Sequence, residues 1–392
     1  MTKRPHAGKP SAFNPLNLTQ AIQEFYSDFP EYKGNTFILN HEMFSEGDQA
    51  LDFYSDALKP IKEKLGAFNF SFMRGLTAAA FQKKVPCAVP FEVKTDTAGV
   101  KKSIGRAVVP AGATLSAFYL ASALGGNHRN FIPDFPSLPV EFNNTEMWQR
   151  YVLDHELGHA VTIMGSDQND NIDTHVVNFR ECEADAYAMM RHYQRYGEQS
   201  KFPEFVAGLR VLGTVHSARD SHLTVDAIDR VIELNKQGKI KNLTPQQCRD
   251  LATKIAHDVK RTPAEEYNLT QAIAKPVMAL HKNKPNAIDM VELAVTIGTS
   301  TQSPFVQKTL LRYLSEIGRY TQTVDAKLIT LGQKKITAHK LVSQEPALPT
   351  HLKVLREIFN STKDPKAPLN NNEISGAFLN RRGQQKKTNF KR

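Results

Sequence analysis

The run Asp154-His155-Glu156-Leu157-Gly158-His159, followed at short range by Arg180-Glu181-Cys182-Glu183-Ala184-Asp185, constrains this chain more than any other feature. Histidines four positions apart lie one turn apart on a single helix face, so two imidazoles can address one ion and the glutamate between them can reach a water beside it. The surroundings read as a helix over 145–164. Asn144 or Thr145 is a fitting N-cap, Met147, Trp148, Tyr151, Val152 and Ile163 supply apolar positions, and Gly165 ends the run. A second helix reads over 174–196, from Asp173 or Thr174 as cap to Gly197, with Val177, Phe179, Ala184, Ala188 and Met189 available for packing.

On the second helix Glu181 and Asp185 share a face, whereas Glu183 lies roughly 200° away at about 100° per residue. His155, His159 and Glu181 make three protein ligands, the number that leaves a position open for water in a catalytic zinc site. Asp185, one turn beyond Glu181, is suited to accept the second ring N–H of a ligand histidine and fix its tautomer. Asp167, Asp170 and Asp173, in the loop between the helices, are alternative acidic ligands. Alternating Asp167, Asn169, Asn171 and Asp173 also resemble the start of a calcium loop, but Ile172 and Asn178 stand where such a loop needs Gly and Glu.

His-Glu-x-x-His followed after 22 positions by Glu-x-x-x-Asp resembles the gluzincin metallopeptidases, the thermolysin-like class. The likeness covers about residues 145–197 and assigns no subfamily. A metzincin extension is absent, since Thr162 and Gly165 stand where Gly and His would be needed. The resemblance implies Zn²⁺ as cofactor, Glu156 as general base and acid, and a peptide or protein substrate. It also implies a donor for the oxyanion of the intermediate, for which His216 and His222 are the candidates, with Tyr187 and Tyr193 behind them. His175 reads as a first-turn residue of the second helix. Two other readings use the same residues: a catalytically weak scaffold that binds a partner, and a zinc hydrolase acting on something other than a peptide.

Composition adds exclusions. A hydrophobic fraction of 41% and a charged fraction of 23% are those of an ordinary globular chain. The net charge of +10 suggests nucleic acid until it is located. Lys3, Arg4 and Lys9 near the start, with Arg381, Arg382, Lys386, Lys387, Lys391 and Arg392 in 374–392, account for nine of the ten charges. No broad basic groove on the folded body is therefore expected. The basic tail is available to an acidic partner, and no specific nucleic-acid binding is predicted. Cys87, Cys182 and Cys248 are odd in number and far apart, which implies no disulfide framework. The basic N-terminus leads into Pro10, Ser11, Asn14 and Pro15 without an apolar core, so no secretory signal is read and a cytoplasmic protein is expected. Release as an effector by another route is compatible with that reading. The uncharged stretch from Ala107 to Asn127 is interrupted by Pro110, Gly112, Gly125 and Gly126, so it reads as a buried strand leading into an Ala-rich helix rather than a membrane span.

These readings predict an α+β fold: a small N-terminal mixed α/β unit carrying the zinc-binding helix pair, followed by an α-helical C-terminal domain. Residues 1–15 are expected to form a flexible arm, 16–200 the metallopeptidase domain, 201–365 the helical domain, and 366–392 a basic, disordered tail. Before the motif, Leu18–Tyr26 and Ala50–Leu65 read as helices, and Thr36–Leu39, Phe68–Phe72, Ala88–Val93 and Ile104–Val109 as strands. Gly125 to Asn144, with Pro133, Pro136 and Pro139, reads as an extended connector. Beyond Gly197 the helices expected are Pro203–Leu212, Val225–Asn235, Pro245–Val259, Leu269–His281, Ile288–Ile297, Pro304–Tyr320 and Leu352–Phe359. The hexapeptide Asn17-Leu-Thr-Gln-Ala-Ile22 recurs at Asn268–Ile273, and both copies read as helix starts.

Overall fold

Asn17 accepts a hydrogen bond from the Gln20 amide at 2.9 Å and so starts α1 (Leu18–Asp28), whose Leu18, Ala21 and Phe25 are buried at helical spacing. The computed structural model describes residues 16–94, 101–111, 145–164, 174–218, 220–281, 285–320 and 324–339, all within a unit spanning Met1–Val342. The N-terminal arm, the connector up to Asn144, the acids Asp167, Asp170 and Asp173, the helix expected at Leu352–Phe359 and the basic tail lie outside the described residues.

After α1 come β1 (Thr36–Ile38), α2 (Gly47–Asp52), α3 (Ser55–Leu65), α4 (Ala67–Gln82), β2 (Cys87–Lys94) and β3 (Lys101–Val109). β3 is the central strand, parallel to β1 with Thr36 opposite Arg106, and antiparallel to β2 with Ala88 opposite Val108. Alternation gives the sheet two faces. Val108 and Ile38 join the core shared with Trp148 and Tyr151, while Phe37, Ala107 and Val109 pack on Leu51, Ile61 and Phe81.

Two expectations are corrected here. Phe68–Phe72 is not a strand but the first turns of α4. Its aromatic density favours a strand locally, yet Phe70, Thr77, Ala78 and Phe81 are buried at helical spacing, and Phe68 and Phe72 face solvent. The single helix read over Ala50–Leu65 is broken at Phe53 and Tyr54 into α2 and α3.

The helix pair follows as α5 (Thr145–Met164) and α6 (Thr174–Tyr196). Eight more helices complete the described chain: α7 (Phe202–Ser217), α8 (Val225–Lys236), α9 (Pro245–Asp258), α10 (Pro263–Leu269), α11 (Lys275–His281), α12 (Ala287–Gly298), α13 (Pro304–Tyr320) and α14 (Ala326–Ala338). The helix expected to begin at Leu269 begins at Pro263 instead, because Thr262 and Glu265 form a reciprocal capping box there. Thr270–Ala274 is a π-helical stretch joining α10 to α11, so the second hexapeptide lies inside a helical run and only the first is a helix start. The fold is thus α+β in the broad sense, mostly helical with one three-stranded sheet. One apolar core runs from Leu18 through α5 and α6 to Ile336. No helix among the described residues is long and apolar enough to cross a membrane.

Candidate metal centre

A glycine brings the two central helices together. A Cβ at Gly158 would come within 2.9 Å of the Ala184 Cα, so only the bare α-carbon lets α5 lie this close to α6. Gly158 sits between Glu156 and His159, and Ala184 between Glu181 and Asp185, so the closest approach faces the motif residues across the contact.

Here His155 Nε2 lies 3.4 Å from Glu181 Oε2, and His159 Nε2 lies 3.5 Å from Glu181 Oε1. One ligand atom from each of His155, His159 and Glu181 falls within 4.8 Å of the others. Four ligands at about 2.1 Å from a tetrahedral zinc stand about 3.4 Å from one another, so the two imidazole–carboxylate separations match the edges of such a polyhedron. Glu181 Oε2 is sealed from solvent and finds no hydrogen-bond partner among the described residues. An orphaned buried carboxylate oxygen facing imidazole nitrogens is the donor set that a borderline-soft divalent cation satisfies.

Asp185 is fully buried and holds the other side of His155. Its Oδ1 lies 2.7 Å from His155 Nδ1 and accepts from Tyr151 Oη at 2.8 Å; Arg210 donates to both carboxylate oxygens at 2.8 Å, and Thr224 Oγ1 donates to Oδ2 at 2.5 Å. Arg210 also donates to Tyr151 Oη at 3.0 Å, closing the network. Burial alone would raise the Asp185 carboxyl, but the Arg210 guanidinium and His155 hold it far below the usual carboxylate range. Burial opposes charge on His155 as well, yet Asp185 and then Glu181 push its pKa up to about 10. Glu181 is held well below the ordinary range against its own burial, chiefly by His159 and then by His155. The carboxylates therefore draw a positive charge into this spot.

Glu156 is buried, and burial raises its carboxyl against the pull of the neighbouring His155 and His159 charges. Asp154, beside the motif, is used structurally: Arg195 and Arg150 both pair with it.

The two histidines considered for an oxyanion separate clearly. His222, in a 3₁₀ turn at Asp220–His222, brings Nε2 to 3.6 Å from Glu181 Oε2 and keeps 38% of its side chain exposed. His216 is buried on α7 with Nε2 3.1 Å from Tyr313 Oη. Tyr187 and Tyr193 belong to the apolar core, and Cys182 is turned towards Asn178. The side chain of His175 lies outside those described.

Tyr151, Arg210 and Thr224 were not anticipated. A lone arginine in the otherwise apolar run Phe205–Leu212 is a signal for Arg210, and the spacing of four between Tyr151 and His155 is one for Tyr151. Thr224 reads as a helix cap and stands at that position of α8, but its side chain makes no capping bond and is used on Asp185 instead.

The chain matches no family model, no curated protein and no solved structure.

Proposed function

We propose that the protein is a zinc-dependent hydrolase of peptide bonds, with His155, His159 and Glu181 as metal ligands and Glu156 as the proton-transfer group. The observation that carries this reading is the ring of two imidazoles and one orphaned carboxylate oxygen at tetrahedral-edge separations. Bound Zn²⁺ supplies Lewis acidity and brings the pKa of its water towards about 7. Asp185 holds the Nδ1 proton of His155, so the metal would take the place of the second proton, the one on Nε2 facing Glu181. Arg210, Tyr151 and Thr224 hold Asp185 still, so the ring orientation is set before substrate arrives. Glu156, raised by burial, takes a proton from the attacking water and returns it to the leaving amine. His222, the more exposed of the two histidine candidates, is the group we assign to the developing oxyanion. Three free cysteines agree with a cytoplasmic setting.

The test couples metal content with turnover. Wild type should bind one zinc per chain and cut a degenerate peptide library, read by mass spectrometry. Glu156→Gln should keep the metal and lose about 10²-fold or more of the turnover. Unchanged hydrolysis in that variant, or no zinc bound by wild type, overturns the proposal; hydrolysis confined to non-peptide esters or amides would reassign the substrate.

A further inference from the structure

α4 is apolar on both sides. Phe70, Ala78 and Phe81 pack beneath the sheet, while Phe68, Phe72 and Leu76, at successive turns of the outer face, are 85%, 59% and 40% exposed. Gly75 and Ala79 continue that face without adding a polar group, and a Cβ at Gly75 would meet nothing within 4 Å. The one charged residue of the helix, Arg74, is turned to Asp48 and Asp52 on α2, at 3.2 and 2.7 Å. A helix that is apolar all round is ordinarily covered on every side, and a contiguous apolar strip left in water marks a surface that something else meets.

Charge selects the occupant. Lys59, Lys62 and Lys64 precede α4 and Lys83 and Lys84 follow it; all five are exposed, and none has an ion-pair partner among the described residues. Residues 59–84 hold six cations against one acid, Glu63, whereas nine of the ten excess charges of the whole chain lie in its tails. The lysines thus bracket an uncharged strip on a helix about 24 Å long, at 1.5 Å for each of its 16 residues. Apolar and aromatic side chains set between cations suit the boundary of an anionic bilayer, where rings enter among the headgroups and ammonium groups meet lipid phosphates. A second copy of this face fits poorly, because two-fold pairing sets the cations against their own images. Single-stranded nucleic acid needs its cations alongside the rings on which bases stack, not at the two ends of the strip.

We propose that the outer face of α4 docks onto an anionic lipid surface, with the helix lying in the plane of the interface, Phe68, Phe72 and Leu76 entering the headgroup layer and the flanking lysines on lipid phosphates. α4 and the metal-site helix α5 pack on opposite faces of the sheet, so docking through α4 turns the metal centre away from the lipid, whatever reaction that centre performs.

Co-sedimentation of the full-length protein with vesicles tests this. Binding to phosphatidylcholine mixed with phosphatidylserine at roughly two to one should exceed binding to phosphatidylcholine alone about tenfold or more. Phe68→Gln/Phe72→Gln should lower it about tenfold or more and keep the wild-type melting temperature, since both rings are exposed. Lys62→Gln/Lys64→Gln/Lys83→Gln/Lys84→Gln should cost a similar factor. The basic tail stays in every variant, so its attraction to lipid is common to all of them. Phe68→Trp reads insertion directly and does not depend on how the double variant folds: its emission should shift to the blue on the anionic vesicles and be quenched by lipids brominated near the headgroup, against a buried Trp148 that does neither. No vesicle binding by wild type, binding unchanged in Phe68→Gln/Phe72→Gln, or a Phe68→Trp emission that vesicles leave unmoved overturns the proposal. A wild type that ignores vesicles but forms a dimer, or retains an oligouridine, that the double variant loses would assign the face to a second copy or to nucleic acid instead.

Discussion

Asp185 is the residue on which the site turns, because one carboxylate answers four residues from three elements: His155 and Tyr151 on α5, Arg210 on α7 and Thr224 at the start of α8. Asp185→Asn preserves its shape but removes the charge and one acceptor, so both His155 and Arg210 lose a partner. Zinc affinity, read by competition with a chelator, should fall about 10–100-fold. The melting temperature should drop as well, because Arg210 is left as a partly buried, half-answered cation. Thr224→Val removes one donor of several and should cost about 1 kcal/mol with little change in zinc affinity. An Asp185→Asn variant that binds zinc as tightly as wild type would show that the carboxylate does not orient the ring. The residues legible in the sequence are those linked by helical spacing, His155, Glu156, His159, Glu181 and Asp185. Arg210 and Thr224 were not legible, because they reach Asp185 from 25 and 39 positions away and only the packing of α7 and α8 on α6 brings them there.

At the scale of elements, the crossing of α5 over α6 converts two separate motifs into one site. Gly158→Ala puts a methyl group 2.9 Å from the Ala184 backbone, where no side chain can rotate away, so the helices have to separate. Overpacking of this kind costs about 1–3 kcal/mol, and separation also lengthens the His155–Glu181 and His159–Glu181 distances. The variant should therefore melt a few degrees lower and bind zinc more weakly, whereas Gly34→Ala, with open space around it, should change neither. Unchanged zinc affinity in Gly158→Ala would mean that the site tolerates helix separation. α5 and α6 were readable because apolar periodicity, caps and stops agree over about six turns each. α4 was not: its aromatic start carries strand propensity, and the helix is decided by Phe70 and Phe81 packing under the sheet, a tertiary effect with no local signature.

At the scale of the whole molecule, α5 and α6 share one apolar core with helices as distant as α1 and α14, so changes at the site reach global stability. His192 on α6 shows how pH enters. It is buried between Phe202, stacked at 4.7 Å, and the Ser200 hydroxyl at 2.8 Å, and burial lowers its pKa to about 3. The unfolded chain takes up that proton near pH 6.5 and the folded chain does not until about 3, so stability is intact above 6.5 and declines as pH falls between those values, by up to about 1.4 kcal/mol per unit. His192→Phe should flatten that part of the profile in urea melts, and a slope identical to wild type would remove His192 as its cause. Metal linkage acts on the same global equilibrium. If zinc binds the folded chain alone, a thousandfold excess over its dissociation constant adds about 4 kcal/mol, and chelation should lower the melting temperature by on the order of 10 °C. Glu181→Ala and His159→Ala should melt alike with and without chelator, because each removes one of the three proposed ligands and with it the linkage. A wild-type melting curve that chelation leaves unmoved would separate the helix pair from any metal, and the imidazole–carboxylate cluster would then be a buried polar network whose positive charge is the proton on His155.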